Sequence, residues 1–107
     1  MTSVAIADTD GVVSLRPFNR VTDRSYCIRT MVMALKTEGW SPVGKVVETV
    51  VDDQSTRIEI ACLTESPEVI VGYTVFRPGQ VLYLTVRDKW RNLGVEKALF
   101  EATQVGD

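Results

Sequence analysis

The residues best suited to chemistry lie together in the C-terminal third of the chain, in residues 81–100. Residues 81–87 are apolar at nearly every position and read as a strand. A short loop, Asp88-Lys89-Trp90, follows, and a helix begins near Leu93 with Gly94 marking its start. A strand that passes through a glycine-marked loop into a helix aims unpaired backbone amides and the positive end of the helix dipole at one spot. Phosphate groups bind readily to that arrangement. Arg87, Lys89, Arg91 and Lys97 cluster around the loop, which fits an anion site and a solvated loop equally well.

The elements that position this segment can be read from hydrophobic period. Residues 12–16 alternate well enough for a short strand, with Val13 and Leu15 on one face, and Pro17 ends it because proline cannot donate to a ladder. Thr22 or Asp23 can cap a helix in which Ile28, Met31, Val32 and Leu35 form the buried stripe. Gly39 suits its C-terminus. Ser41-Pro42 reads as the start of a second helix, striped by Val43, Val46, Val47, Val50 and Val51. Three strands follow. Residues 57–64 place Ile58, Ile60 and Cys62 on one face, with Arg57 and Glu59 on the other. Residues 69–77 are interrupted by Gly72, and residues 81–87 complete the set. Short turns at Ser66-Pro67-Glu68 and Pro78-Gly79 make these an antiparallel meander. Val95, Leu99 and Ala102 share one side of the last helix.

The expected class is therefore α/β (α+β), in the order strand, helix, helix, three-stranded meander, helix, with a mixed central sheet and helices on both faces. Residues 1–11 are small and polar and are expected to be a flexible N-terminus, with residues 12–107 forming a single domain.

Composition narrows the function. The chain has 107 residues, enough to bury roughly 60–70% of its unfolded surface. Twelve basic and fourteen acidic residues give a net charge of −2, which argues against a general nucleic-acid binder. Cys27 and Cys62 sit at apolar-periodic positions and read as reduced, buried thiols. With no histidine in the chain, a metal site is not expected. Residues 1–10 lack a signal-peptide pattern, and no run approaches the roughly 18 apolar residues of a membrane span, so a cytoplasmic protein is expected.

The run Arg91-Asn92-Leu93-Gly94-Val95-Glu96 resembles the signature of the GNAT acyltransferases, which use acyl-coenzyme A: Arg or Gln, two residues, Gly, one residue, then Gly or Ala. Val86 at the strand end, Trp90 before the arginine and Ala98-Leu99-Phe100 in the helix agree with it. Leu15-Arg16-Pro17 and Val71-Gly72-Tyr73 look like the family's first and third strands. The resemblance implies acetyl-CoA as the cofactor. Backbone groups of Leu84 and Val86 would pair with the pantetheine arm, and the amides of Leu93, Gly94, Val95, Glu96 and Lys97 would hold the pyrophosphate. Arg91 and Lys97 would add charge, and Asn92 stands where the family usually has glycine. Among groups able to serve as acid or base, Glu59, Tyr73 and Tyr83 are the candidates, each with an ordinary structural role beside the catalytic one.

Two departures from the family bear on activity. Glu96 occupies the family's last small position, where a carboxylate takes space and repels phosphate. It can satisfy the helix N-terminus itself. The family also has a further strand after this helix, splayed to open the cofactor slot, and often a later tyrosine; the sequence stops before either. The leading expectation is thus a GNAT-like scaffold serving as a non-catalytic protein-interaction module, with a protein partner or a homodimer at the open sheet edge. The alternatives are an acyl-CoA-dependent N-acetyltransferase completed by dimerisation, and a structural subunit of a larger, viral-type assembly.

Overall fold

The computed structural model describes residues 3–39 and 44–104. The chain divides into two compact units. One is built from the residues up to Phe18 and from Arg57 onward; the other comprises residues 19–56.

The first unit is a five-stranded sheet with one helix. Its strands are β1 (Val4–Ala5), β2 (Val13–Pro17), β3 (Arg57–Leu63), β4 (Ile70–Arg77) and β5 (Gln80–Val86), in the spatial order β1-β2-β3-β4-β5. Every pairing is antiparallel. The mixed sheet expected from the sequence is therefore not seen among the described residues. Each of the hairpins β1–β2, β3–β4 and β4–β5 has a short connection, and tight turns can join only antiparallel neighbours.

The N-terminal segment, expected to be loose, pairs with the sheet. Val4 lies opposite Leu15 and Ala5 opposite Ser14. A 3-10 turn over Ala7–Thr9 closes this hairpin. Thr9 Oγ1 donates to the Ile6 carbonyl at 2.7 Å and accepts from the Val13 amide at 3.1 Å. Ile6 is buried.

The meander follows the expected alternation with two irregularities, one of them a β4–β5 register shift at Val75/Phe76 that leaves Leu82 as an extra residue in β5. The β3–β4 register shifts at Ala61/Cys62, leaving Val71 as an extra residue in β4. Val71 joins the apolar cluster of Ile6, Val13, Ala61, Val86, Val95 and Leu99, against which Trp90 and Ala98 also pack. Gly72 follows from a close approach between strands. A Cβ at this position would lie 2.5 Å from the Thr85 carbonyl oxygen, far inside contact distance. The helix of this unit, α3 (Val95–Ala102), buries Val95 and Leu99 at 0% exposure, two of the three residues expected on its inner side.

The second unit holds α1 (Arg20–Thr37) and α2 (Gly44–Asp52). The α1 cap is Asn19, not Thr22 or Asp23. Its side chain accepts from the Val21 and Thr22 amides at 2.9 and 3.2 Å, while Asp23 Oδ2 accepts from the Asn19 amide at 2.7 Å. This reciprocal bonding sets the phase of the helix. The buried line is accordingly Asp23, Cys27 and Met31; of the expected stripe Met31 is buried, while Ile28, Val32 and Leu35 are half-buried. In α2 only Val47 and Val51 are buried, and Val46 is exposed. Ser41, Pro42 and Val43, expected to open this helix, lie outside the described residues, as does Trp40. Asp52 ties the two helices together by accepting from Arg20 Nη2 at 2.6 Å and from Arg24 Nε and Nη2 at 2.9 and 2.7 Å. Those guanidinium bonds lower its carboxyl pKa to about 2. Cys27 and Cys62 are both buried and are not joined in a disulfide, as expected.

Candidate functional site

The loop between β5 and α3 is built in three steps. β5 ends at Val86, which is buried. A 3-10 turn over Asp88–Trp90 then reverses the chain, fixed by the Trp90 amide donating to the Arg87 carbonyl at 2.8 Å. Asn92 (φ 65°) and Gly94 (φ 85°) next take left-handed conformations, and α3 starts at Val95, two residues later than the sequence suggested. Gly94 is the N-cap, and the first helical bond runs from the Ala98 amide to its carbonyl at 3.0 Å. Asparagine at position 92 is one of the few non-glycine residues that adopts such a backbone readily. The loop motif thus has the geometry that its residue types imply.

The side chains around it are arranged differently from an open anion cradle. Arg91 turns back into the loop, where its Nε donates to the Val86 carbonyl at 3.1 Å and lies 3.3 Å from Asp88 Oδ1. One of the strand-end groups assigned to a cofactor arm is therefore already occupied. Glu96 Oε1 accepts from the Asn92 amide across 3.5 Å, a long and weak bond that closes the loop on itself. Lys89 lies over the Trp90 ring, 5.9 Å from its centroid.

Asp8 was not foreseen from the sequence. The 3-10 turn after β1 carries its carboxylate against Gly94, so closely that a Cβ on Gly94 would lie 2.6 Å from Asp8 Oδ2. Two carboxylates thus lie at the N-terminal end of α3, Asp8 against Gly94 and Glu96 in the first turn. No local pattern marks this contact, because the two segments meet only through the sheet.

The three acid–base candidates do not come together. Register places Glu59 in one cross-strand row with Pro17, Thr74 and Leu84. Tyr73 pairs with Ile60 and Thr85, and Tyr83 with Val75, so both tyrosines occupy the opposite face. Their rings are 5.9 Å apart, and Tyr73 is buried. Glu59 instead lines a groove of about 890 Å³ between α3, the first hairpin and the ends of β2, β3 and β4. Burial pushes its carboxyl pKa up. Lys97 also lines this groove, while Leu84 packs at the edge of the core. Among the described residues there is no group of acidic or cysteine side chains placed to hold a metal ion, and no helix is long and apolar enough to cross a membrane.

No protein-family model and no curated protein matches this sequence. Solved structures do. A ribosomal-protein-alanine N-acetyltransferase from Brucella melitensis biovar Abortus 2308 superposes with a TM-score of 0.59 at 18% identity, over 84% of this chain and 68% of that one. An aminoglycoside acetyltransferase from an uncultured soil metagenomic sample gives 0.61 at 18% identity, over 88% and 68%. An acetyltransferase of the GNAT family from Staphylococcus aureus gives 0.61 at 12% identity, over 85% and 62%. The chain thus spans about two thirds of the length of these proteins. These superpositions show that the chain has a GNAT-like fold.

Proposed function

We propose that this chain uses the GNAT fold as a binding scaffold, and that on its own it does not take up acyl-CoA. The observation that carries this reading is the pair of carboxylates, Asp8 and Glu96, at the N-terminus of α3. A helix N-terminus favours one negative group by about 0.3–1 kcal/mol. A pyrophosphate arriving there would meet two carboxylates, and each repels a unit charge at 4 Å by about 1 kcal/mol even in bulk water. Arg91, the cation placed to offset that repulsion, is engaged with Val86 and Asp88.

The surface that suits a partner is the outer edge of β5. Among the described residues it pairs with no other strand, and Leu82, Tyr83, Leu84 and Thr85 are only half-buried. A free strand edge recruits a further strand through main-chain hydrogen bonds. The partner in this reading is a protein strand, from another chain or from a second copy. Two buried thiols outside any disulfide fit a reducing compartment such as the cytoplasm.

A second reading, acyl-CoA-dependent N-acyl transfer, draws on the left-handed Gly94 that opens α3 and on the acetyltransferases that share the fold. Calorimetric and thermal-shift titration of the full chain with acetyl-CoA separates the two. The scaffold reading expects no heat and no shift at millimolar ligand. A rise in melting temperature of roughly 10 °C, lost in Arg91→Ala/Lys97→Ala, would establish the second reading and overturn the first.

A further inference from the structure

The groove on the α3 side of the sheet holds a carboxylate that the fold leaves without a partner. Glu59 sits on β3 with Pro17 across from it on β2 and Thr74 across from it on β4. Pro17 has no N–H to offer. Thr74 has a single hydroxyl proton, and it donates that proton to the Tyr83 carbonyl at 3.2 Å. Neither neighbour can therefore satisfy an ionised carboxylate. Among the described residues the Glu59 carboxylate makes no hydrogen bond or ion pair, although partial burial desolvates it. Desolvating a carboxylate without a donor is costly, and the usual remedy is a cation or a proton.

The surroundings are apolar. Leu15, Phe76, Ala98 and Ala102 line the same groove, whose volume of about 890 Å³ falls in the range of small-molecule sites. Its other charged groups are Asp8, Arg57, Lys97 and Glu101, all exposed. These two acids and two bases offset one another in well-screened positions, which leaves Glu59 as the one charge set into the apolar part.

We propose that this groove binds an organic cation, an amine on an apolar body, with the ammonium on the Glu59 carboxylate and the body against Leu15, Phe76, Ala98 and Ala102. The groove reaches Asp8, Gly94 and Lys97 at the start of α3, but the contacts proposed here are with Glu59 and the apolar lining and do not depend on the scaffold reading. An ammonium supplies up to three donors to an acceptor that has none, and its alkyl or aryl body covers apolar surface now facing water.

The test uses the full, isotope-labelled chain titrated with hexylammonium chloride, 1-hexanol and sodium hexanoate, followed through backbone amide resonances. Hexylammonium is expected to shift the amides of Glu59, Ala98 and Ala102 and to bind at least about tenfold more tightly than hexanol, a difference of about 1.4 kcal/mol. Glu59→Gln keeps the side-chain shape and is expected to remove that preference. Ala102→Leu narrows the groove and is expected to weaken amine and alcohol alike. The proposal is overturned if no probe binds at 20 mM (roughly the limit for so small an apolar ligand). It is equally overturned if hexanol or hexanoate matches the amine, or if the preference survives Glu59→Gln.

Discussion

The Asp8 carboxylate occupies the space into which a side chain at Gly94 would grow, with Oδ2 only 2.6 Å from the position of a Cβ there. The first turn of the chain and the helix that follows the last strand are fitted to each other at this point. Gly94 is required twice over, by its left-handed backbone at φ 85° and by the proximity of Asp8.

Gly94→Ala should therefore destabilise the fold by more than the about 1–2 kcal/mol that a left-handed alanine costs alone. In an Asp8→Ala background the loss should shrink toward that backbone value. Urea unfolding of the four-member cycle measures the difference, with a coupling of at least about 0.5 kcal/mol expected. Additive single effects would show that Asp8 does not press on this position.

Gly72→Ala tests a contact that cannot yield in the same way. The obstructing atoms are backbone: the Thr85 carbonyl oxygen at 2.5 Å and the Val86 Cα at 3.0 Å. No side-chain deletion can relieve them, so a loss of about 1–3 kcal/mol is expected in chemical denaturation. A neutral substitution would mean that β4 and β5 separate more easily than their register implies.

Asp52 provides a pH-dependent term in the helical unit. Its folded-state carboxyl pKa, near 2, lies below the ordinary value of 3.8 because Arg24 and Arg20 donate to it. A depressed carboxyl contributes stability that is fully present above its unfolded pKa and lost as pH falls through the folded one. Asp52→Asn should thus be less stable than the parent at pH 7, and the gap should close between about pH 4 and pH 2. A gap independent of pH would assign the effect to packing.

Glu59 works in the opposite direction. Burial raises its pKa, so the folded protein holds this proton more tightly than the unfolded chain does. Stability from this group is present at pH values below the ordinary carboxylate range and declines as pH rises through the folded pKa. Melting curves of Glu59→Gln and the parent should diverge in favour of the variant as pH rises from the ordinary carboxylate range toward neutrality. Asp8, Arg57, Lys97 and Glu101 share the groove and remain unchanged in both proteins, so they cancel in the comparison. Parallel curves would show that Glu59 is solvated in the folded state.

Much of the architecture was legible from residue pattern. The alternation of Ile58, Ile60 and Cys62, the turns at Pro67 and Gly79, and the spacing of Val95 and Leu99 follow from the two-residue and 3.6-residue periods, which need only local sequence to act. The Arg91–Glu96 run was legible as a loop before a helix for the same reason: Asn92 and Gly94 tolerate backbone angles that other residues avoid. The cap of α1 was misplaced by three or four residues, because Asn19, Thr22 and Asp23 all have capping side chains and only the reciprocal bonds of Asn19 and Asp23 select among them.

The sequence by itself determined the elements from β2 onward, their order and the conformation of the β5–α3 loop, since each depends on side-chain period and on backbone preferences within a few residues. Only the tertiary structure decided what those elements bring together. A two-residue strand at Val4–Ala5 is too short to show a period, yet pairing it with β2 carries Asp8 to Gly94. The register that sets Glu59 between Pro17 and a committed Thr74, and puts Tyr73 and Tyr83 on the other face, is a property of strands in contact. Whether a charge finds a partner depends on which groups lie across from it, and distant segments meet there only once the sheet has formed.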